Sequence, residues 1–332
     1  MTPTPRPVNA HLTCQGWTSV ALLVWLATMA SPAGAQYLDS PMRIADGPPG
    51  QVLVSDSLQD RVYAVDHGNL APVWSFNVPG KPMAVGFASN LVLIGNASTH
   101  NVEVYRLKGA PKGSSKALEF QFNLGGTPAG MPGTIRTPSD LAIDKDAGLV
   151  FVVDSGERSV KIFGLDGQPR AAFPTPGEAE LLSPTAIAID PQRQQVVVSD
   201  YGDPNGTMSF SGSQAAVPAR IMIYTYGGQL VRQINGGTAG TVTVPPEAQF
   251  ERPQGLAIDA LGRIYVAESV RGEVVVFDGA TGSVVTRLAE FGDAPGQLRL
   301  PQDVVIDSKS DDLLVTNTMN HRIERLAIAG GL

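Results

Sequence analysis

Two aspartates and one arginine hold the same place in three copies of a short repeated phrase. The phrase is proline, two variable residues, then aliphatic, small, aliphatic and acidic residues, as in PSDLAID and PQDVVID. Its third place is Asp140 in one copy, Asp303 in another and Arg43 in PMRIADG. If the fold brings them together, two carboxylates and a guanidinium could bind a cation or a polar ligand. The alternative is that Asp simply suits the turn that enters a strand.

Histidine gives a sharper test for metal chemistry. A zinc site of the lyase type needs about three histidines on one face. His100 and His321 each come one residue before a third apolar run of their copies, whereas His67 follows such a run. The three side chains therefore cannot meet, and we expect all of them to be structural.

Other chemical motifs are weak. The sequence has no Gly-x-Ser-x-Gly elbow and no glycine loop of the kind that cradles phosphate before a helix. The stretch DYGDPNG has Asp200, Asp203 and Asn205 at an irregular spacing that only faintly resembles a calcium loop, and the distal glutamate of such a loop is missing. A turn is the better interpretation of this stretch.

The elements that must position these residues come from a sixfold repeat. Copies of the phrase start at Pro41, Pro82, Pro138, Pro184, Pro253 and Pro301. A second and a third apolar run follow each copy, and a fourth often follows. The runs are short, rich in Val, Ile, Tyr and Phe, and bounded by Gly, Pro, Asp and Asn, which indicates strands. Six such antiparallel units can bury their faces only against one another, so the sequence predicts an all-β, six-bladed β-propeller of four-stranded blades.

The last unit has only three runs before AIAGGL. We predict that the N-terminal stretch QYLDS, residues 36–40, supplies the fourth strand and closes the ring, since an open sheet edge is a liability.

Two long stretches carry a family resemblance. FGDAPGQLRLPQDVVIDSKSDDLLVTNTMNHRIERL resembles the NHL repeat in its Phe-Gly opening, its Gly-Gln and Pro, and its Asn320-His321-Arg322; RPQGLAIDALGRIYVAESVRGEVVVFD is similar to the same repeat. The resemblance covers Pro41 to Leu326 and implies a six-bladed propeller. It implies no single function, because the family includes interaction scaffolds, nucleic-acid binders and relatives of lyases and lactonases.

The lactonases of this fold place Glu, Asn and Asp metal ligands near the entry of the first strand. Here only Asp140 and Asp303 match in kind, the Glu-Gly-Pro opening of that family is missing, and Arg43 would repel a metal.

Departures from the repeat are better candidates for function than its shared features. The acidic or amide residue that ends the second strand recurs in all six units and is expected to cap a turn. From that residue to the third strand the step is five residues in five units, but it is 20 in unit four, from Asp200 to Arg220. This insertion, 201–219, and the long inter-blade loops 125–137, 236–252 and 292–300 are predicted to share one face. Loops that depart from a scaffold often carry binding.

The first 35 residues have the pattern of a secretory signal. TSVALLVWLATMAS is apolar, and Ala33-Gly34-Ala35 is a small-x-small cleavage site, so we predict cleavage between Ala35 and Gln36 and a single propeller over 36–332. The interpretation places the protein in the periplasm or outside the cell; an uncleaved anchor and a cytosolic protein are the alternatives. The one cysteine, Cys14, lies in the predicted signal.

The formal net charge is −7, with no basic run, which argues against nucleic acid as a partner.

The sequence therefore favours an exported, non-catalytic binding scaffold, expected to be monomeric, with no membrane span in the mature chain and no cofactor. Its partner would be a protein or a saccharide on the face that carries the insertion. The predicted binding residues are Arg43, Arg136, Asp140, Asp203, Glu251, Arg252, Arg299 and Asp303. The alternative is a metal-dependent, lactonase- or lyase-like hydrolase that uses Asp140 and Asp303 at the channel mouth, with Ca²⁺ as the possible ion.

Overall fold

A computed structural model describes residues 37–108, 118–126, 133–174, 180–203, 217–236 and 250–328. Nearly all regular structure in these ranges is β-strand, with one short 3-10 turn at Thr318–Asn320. The described part of the chain contains no helix with the length and apolarity needed to cross a membrane.

The strands form six antiparallel sheets in chain order, and the predicted six-bladed β-propeller is confirmed. Blade 1 has β1 (Pro41–Asp46), β2 (Gln51–Asp56), β3 (Arg61–Asp66) and β4 (Pro72–Asn77); blade 2 has β5 (Pro82–Ala88), β6 (Leu91–Asn96), β7 (Asn101–Leu107) and β8 (Leu118–Gly125). Blade 3 has β9 (Pro138–Asp144), β10 (Leu149–Asp154), β11 (Ser159–Gly164) and β12 (Pro169–Phe173); blade 4 has β13 (Pro184–Asp190), β14 (Gln195–Asp200), β15 (Arg220–Thr225) and β16 (Leu230–Asn235). Blade 5 has β17 (Pro253–Ile258), β18 (Arg263–Glu268), β19 (Glu273–Asp278) and β20 (Val284–Leu288); blade 6 has β21 (Pro301–Ile306), β22 (Leu313–Asn317) and β23 (Arg322–Leu326).

The core lies between the blades. Six clusters of buried apolar residues each combine side chains of two neighbouring blades, so there is one cluster for every seam of the ring. The second strand of each blade is buried along nearly its whole length, since it is covered on both faces. This explains why the second runs of the sequence are almost purely aliphatic.

The sixth blade differs from the prediction. Its sheet has three described strands, and residues 37–40 are not a strand of it. The N–H groups of Asp39 and Ser40 donate to the Asp56 carboxylate instead, which holds this stretch as the connection that enters β1. Leu38 packs in one cluster with Leu314 and Ile323 of blade 6, so this segment joins the first and last blades by packing and not by a backbone ladder.

Candidate functional site

A bulge near the start of every first strand prepares the centre of the ring. In all six blades the pairing of the first strand with the second shifts register within the first residues of the phrase, as between Pro41 and Ile44 in β1 and between Pro301 and Asp303 in β21. A bulge leaves a residue outside the regular ladder. Backbone carbonyls at the second place of the phrase thereby become available to a donor near the axis.

Arg43 is that donor. This residue is 3% exposed. Nε donates to Ser139 O at 3.1 Å, Nη1 to Gln302 O at 2.9 Å and Nη2 to Thr185 O at 2.5 Å. Those carbonyls belong to blades 3, 6 and 4, so one guanidinium ties blade 1 to three other blades and fills the centre of the ring.

Asp140 and Asp303 flank this guanidinium. Arg43 Nε lies 3.8 Å from Asp140 Oδ1, and Arg43 Nη1 lies 3.9 Å from Asp303 Oδ1. Each carboxylate also accepts a backbone N–H of the next blade, Ile187 N for Asp140 and Ile44 N for Asp303, both at 2.9 Å. Both acids therefore act as links between blades. Their other neighbours leave little space: a Cβ added at Gly255 would lie 1.9 Å from Asp303 Oδ1, so only glycine fits there.

The electrostatics of this central cluster favour the protonated form of Asp303. Burial, and next the neighbouring Asp140 carboxylate, raise the pKa of Asp303 to about 8, against the lowering effect of Arg43. Burial also raises the pKa of Asp140, although Arg43 and two backbone N–H groups oppose it. Two carboxylates beside one guanidinium carry one negative charge too many for a buried site.

A metal ion does not fit between these carboxylates. The cationic group there is Arg43, which lies within 4 Å of an oxygen of each acid and which would repel a second cation. In the described ranges no group of three or more His, Cys, Asp or Glu residues could hold a metal ion.

The residues that end the second strands organise one face of the ring, here called the loop face. Five of these side chains form hydrogen bonds in two places, the turn to the third strand and the loop that enters the blade, whereas Asn317 of blade 6 bonds only with the loop. Asp154, for example, accepts Glu157 N at 3.2 Å in the turn and Arg136 N and Thr137 N in the loop, at 2.8 and 2.9 Å. Asp56, Asn96, Asp200, Glu268 and Asn317 occupy the same position. They fix the loops, as their presence in all six units indicated.

The other predicted binding residues are spread over this face. Arg136, Glu251 and Arg252 are exposed, and the guanidinium of Arg252 lies 5.8 Å from the centre of the Tyr201 ring. Arg299 pairs with Asp293 at 2.9 Å and lies over the Phe291 ring. The structure does not bring them together with Arg43, Asp140 and Asp303, which are buried at the centre.

Asp203 marks the base of the insertion. Its backbone exchanges two hydrogen bonds of 2.9 Å with Val217, and the residue is 3% exposed. Most of the insertion, 204–216, lies outside the described residues, as do 127–132 and 237–249 of the predicted loops.

The histidines do not meet. His100 Nδ1 lies 2.5 Å from Arg136 O, and His321 Nδ1 lies 2.5 Å from Asp39 O, so both contact the loop that enters the next blade. His67 lies at the opposite face, where Nδ1 is 2.5 Å from Asp307 Oδ1 and Nε2 is 2.9 Å from Gln51 O. Sequence reasoning missed this His67–Asp307 pair, although Asp307 ends a phrase and therefore belongs to the same face.

A further feature of the loop face was missed. The second residue of the turn between the second and third strands is apolar and exposed on three consecutive blades: Val270 (50% exposed) on blade 5, Met319 (50%) on blade 6 and Leu58 (71%) on blade 1. Blades 2, 3 and 4 have Ser98, Gly156 and Gly202 there. Aligning the six turns in the sequence would have found it.

Comparison with known proteins supports the fold. Residues 250–277 match the family model of the NHL repeat. No curated protein sequence matches the chain. A solved structure from Bacteroides thetaiotaomicron VPI-5482, a protein of unknown function, is 18% identical with a TM-score of 0.62 over 87% of this chain and 70% of that one. Kuenenia stuttgartiensis hydrazine synthase is 15% identical with a TM-score of 0.54 over 85% of this chain and 74% of that one. At such identities the likeness concerns the fold alone. The chain is thus a six-bladed β-propeller that contains an NHL repeat.

Proposed function

We propose that the protein is an exported, non-catalytic scaffold that binds a protein partner on its loop face. The observation that carries the proposal is the apolar arc, defined as Leu58, Val270 and Met319 on blades 1, 5 and 6. Exposed apolar patches mark interaction sites, and these three side chains hold the same turn position on three blades that follow one another around the ring. An apolar arc favours a protein over a saccharide, the other partner that the sequence left open.

The surroundings of the arc suit a protein interface. Phe291, in the loop between blades 5 and 6, is 60% exposed, and Arg299 lies over its ring. Aromatic residues, methionine and arginine are enriched at the centres of interfaces. Blade 4, which carries the insertion, precedes blade 5 in the ring, and we propose that the insertion extends this binding surface.

The scaffold presents this surface with little entropic loss. Turns and loops are tied to the blades by the residues that end the second strands; Glu268, for instance, accepts Arg252 N and Arg271 N, both at 2.6 Å. Ordering loops before the partner arrives reduces the cost of binding.

The alternative, a metal-dependent hydrolase that uses Asp140 and Asp303, has less support because Arg43 stands between the two acids. Its test is the metal content of the purified protein after dialysis, together with the melting temperature with Ca²⁺, Zn²⁺ or chelator. One ion per chain, and a melting temperature lowered by chelator, would favour the hydrolase and count against the scaffold.

The scaffold is tested by charge substitution on the arc. The triple variant Leu58→Asp, Val270→Asp and Met319→Asp should lose a partner that the wild type captures from a cell-envelope extract and that can be crosslinked to it. The matched control changes three exposed apolar residues of fourth strands, Phe120→Asp, Leu230→Asp and Val285→Asp, and should keep the partner. Equal capture by both triple variants, at unchanged melting temperatures, would overturn the proposal.

Export is a separate element of the proposal, since residues 1–36 lie outside the described residues. N-terminal sequencing of the protein purified from its native host should begin at Gln36, and the protein should be found in the periplasm or the medium. A chain that begins at Met1 would contradict both.

A further inference from the structure

One position per blade closes the seams on the face opposite the loops. It is the seventh residue counted from the start of the third strand, here called the seam position, and it is His67, Leu107, Leu165, Tyr226, Gly279 and Ile328 in blades 1 to 6. In the first five blades its backbone N–H donates to the carbonyl of the residue before the second strand, at 2.9–3.1 Å. The shared hydrogen bond establishes that these positions are equivalent.

Side chains at the seam position fill the seam with the preceding blade. Leu107, Leu165 and Ile328 pack against the apolar clusters of their seams. His67 fills its seam by contacting Asp307 of blade 6.

Tyr226 fills the seam between blades 3 and 4 with a phenol. Its ring centre lies 4.7 Å from that of Phe151, and its hydroxyl donates to Asp144 Oδ2 at 2.9 Å.

Gly279 leaves the next seam open. Between blades 4 and 5 there is a cleft of about 160 Å³, which Gly279 lines together with Asp190, Val197, Ile258 and Ile264. A dry cavity of roughly 150 Å³ can hold a benzene molecule. The cleft therefore has room for one aromatic ring, the group that the equivalent residue Tyr226 supplies in the neighbouring seam.

Two residues that line the cleft hold the same repeat positions as two residues of the seam between blades 3 and 4. Asp190 ends β13 as Asp144 ends β9, and Val197 is the third residue of β14 as Phe151 is of β10. Because Val197 is smaller than Phe151, the floor is also deeper.

Two arginines bridge this seam where the others have a filling side chain. Arg193 pairs with Asp190 at 2.6 Å and donates to Leu261 O at 3.2 Å, while Arg232 donates to Thr281 O at 3.1 Å. Both guanidiniums line the cleft, so an apolar floor meets a rim of donors. Guanidinium groups bind both the face of an aromatic ring and an oxygen substituent on it.

We propose that this cleft is a binding site for a small monocyclic phenol, whose ring occupies the seam between blades 4 and 5 as the Tyr226 ring occupies the seam between blades 3 and 4. The hydroxyl contacts Asp190 or the guanidinium of Arg193, and the ring packs on Val197 and Ile258. The site lies on the face opposite the apolar arc and does not depend on the scaffold function.

The probe is p-cresol, the side-chain analogue of tyrosine, titrated calorimetrically and by ligand-observed NMR against the full mature protein. We expect saturable binding of one molecule per chain and binding of toluene, which lacks the hydroxyl, that is about tenfold weaker. Val231→Trp, which covers the cleft from its exposed rim, should abolish binding. Leu230→Trp, on the same strand but outside the cleft, should not.

A second variant keeps the proposal testable if Val231→Trp fails to fold. Val197→Phe fills the cleft floor with the residue found in the neighbouring seam and should also abolish binding, whereas the triple variant of the apolar arc should bind p-cresol like the wild type. No saturable binding by the wild type, or unchanged binding by both Val231→Trp and Val197→Phe, would overturn the proposal.

Discussion

Asp303 and Asp307 lie four residues apart in blade 6, and their environments drive their acidity in opposite directions. Both side chains are buried, with residue exposures of 4% and 1%. Burial and the nearby Asp140 raise the pKa of Asp303 to about 8. Burial also acts to raise the pKa of Asp307, but hydrogen bonds from Arg325, Lys309 N, His67 and Ser310 outweigh it and hold that pKa well below the ordinary value.

The pKa values of the two aspartates differ because different hydrogen-bond donors surround them, and not because they are buried to different extents. Asp307 Oδ1 and Oδ2 accept Lys309 N, Ser310 Oγ and Arg325 Nη1 at 2.9–3.0 Å. The guanidinium nearest to Asp303 is directed at backbone carbonyls and stays 3.9 Å away. One aspartate is therefore a fully satisfied anion in the seam between blades 6 and 1, and the other belongs to a central cluster with excess negative charge.

The substitution expected to change stability most is Arg43→Met, which acts on the central cluster around Asp303. Removing the guanidinium leaves three buried carbonyls without a donor and two carboxylates without a counter-ion, so we expect a loss of about 3–5 kcal/mol in the free energy of unfolding. Urea unfolding measures it. The exposed Arg136→Met is the matched control and should change stability by no more than about 0.5 kcal/mol. Equal effects of the two changes would refute the central role of Arg43.

Asp307→Ala tests the seam between blades 6 and 1. It removes the acceptor shared by His67, Ser310 and Arg325, and charged hydrogen bonds of this kind predict a loss of about 2 kcal/mol in urea unfolding. Asp312→Ala removes the partly exposed partner of Arg325, 3.2 Å away, and should cost less than about 1 kcal/mol. A larger effect at Asp312 than at Asp307 would contradict this description of the seam.

The two aspartates should also give stability opposite dependences on pH. For Asp303 the folded pKa lies above the unfolded one, so its contribution is complete below about pH 4 and is lost as the pH rises to about 8. We expect the stability of the wild type relative to Asp303→Asn to fall across that interval. A difference that stays flat between pH 4 and pH 8 would show that Asp303 is ionised throughout.

For Asp307 the folded pKa lies below the unfolded one, so its contribution is present above about pH 4 and is lost as the pH falls further. The advantage of the wild type over Asp307→Asn should therefore shrink only in acid. Near neutral pH this advantage should not change with pH, which makes its pH dependence there the smallest of the four effects, and urea unfolding at successive pH values measures it. An advantage that persists at low pH would contradict the assigned donors.

Much of the architecture was predictable because each blade repeats one pattern. The first strands begin at the six prolines of the phrase, and the placing of Asp140 and Asp303 at one end of the channel followed from their shared position. The side-chain contacts were less accessible. Arg43 donates to backbone carbonyls that become available at the bulges. The direction of a backbone carbonyl cannot be predicted from a pattern of side chains.

Two further features lay within reach of the sequence. Comparing the six turns would have separated Leu58, Val270 and Met319 from Ser98, Gly156 and Gly202, and comparing the seam positions would have shown Gly279 against Tyr226 and Leu165. The prediction that the N-terminal stretch pairs as the fourth strand of blade 6 was wrong for a different reason. The missing strand suggested pairing, whereas the Asp56 carboxylate recruits the N–H groups of Asp39 and Ser40 into a connecting loop.

The contacts of Arg43 also constrain when the native ring can form. Its three carbonyl partners lie 96, 142 and 259 residues along the chain, which makes them among the least local contacts of the molecule. Contacts of such high order form slowly, because the intervening chain must first be arranged. While the chain is incomplete, the Arg43 guanidinium stays in water, and its full set of carbonyl partners exists only once blade 6 is in place. Completion of the ring is then a late step that joins blades 1, 3, 4 and 6 at one side chain, so none of these four blades can open without breaking a contact of Arg43.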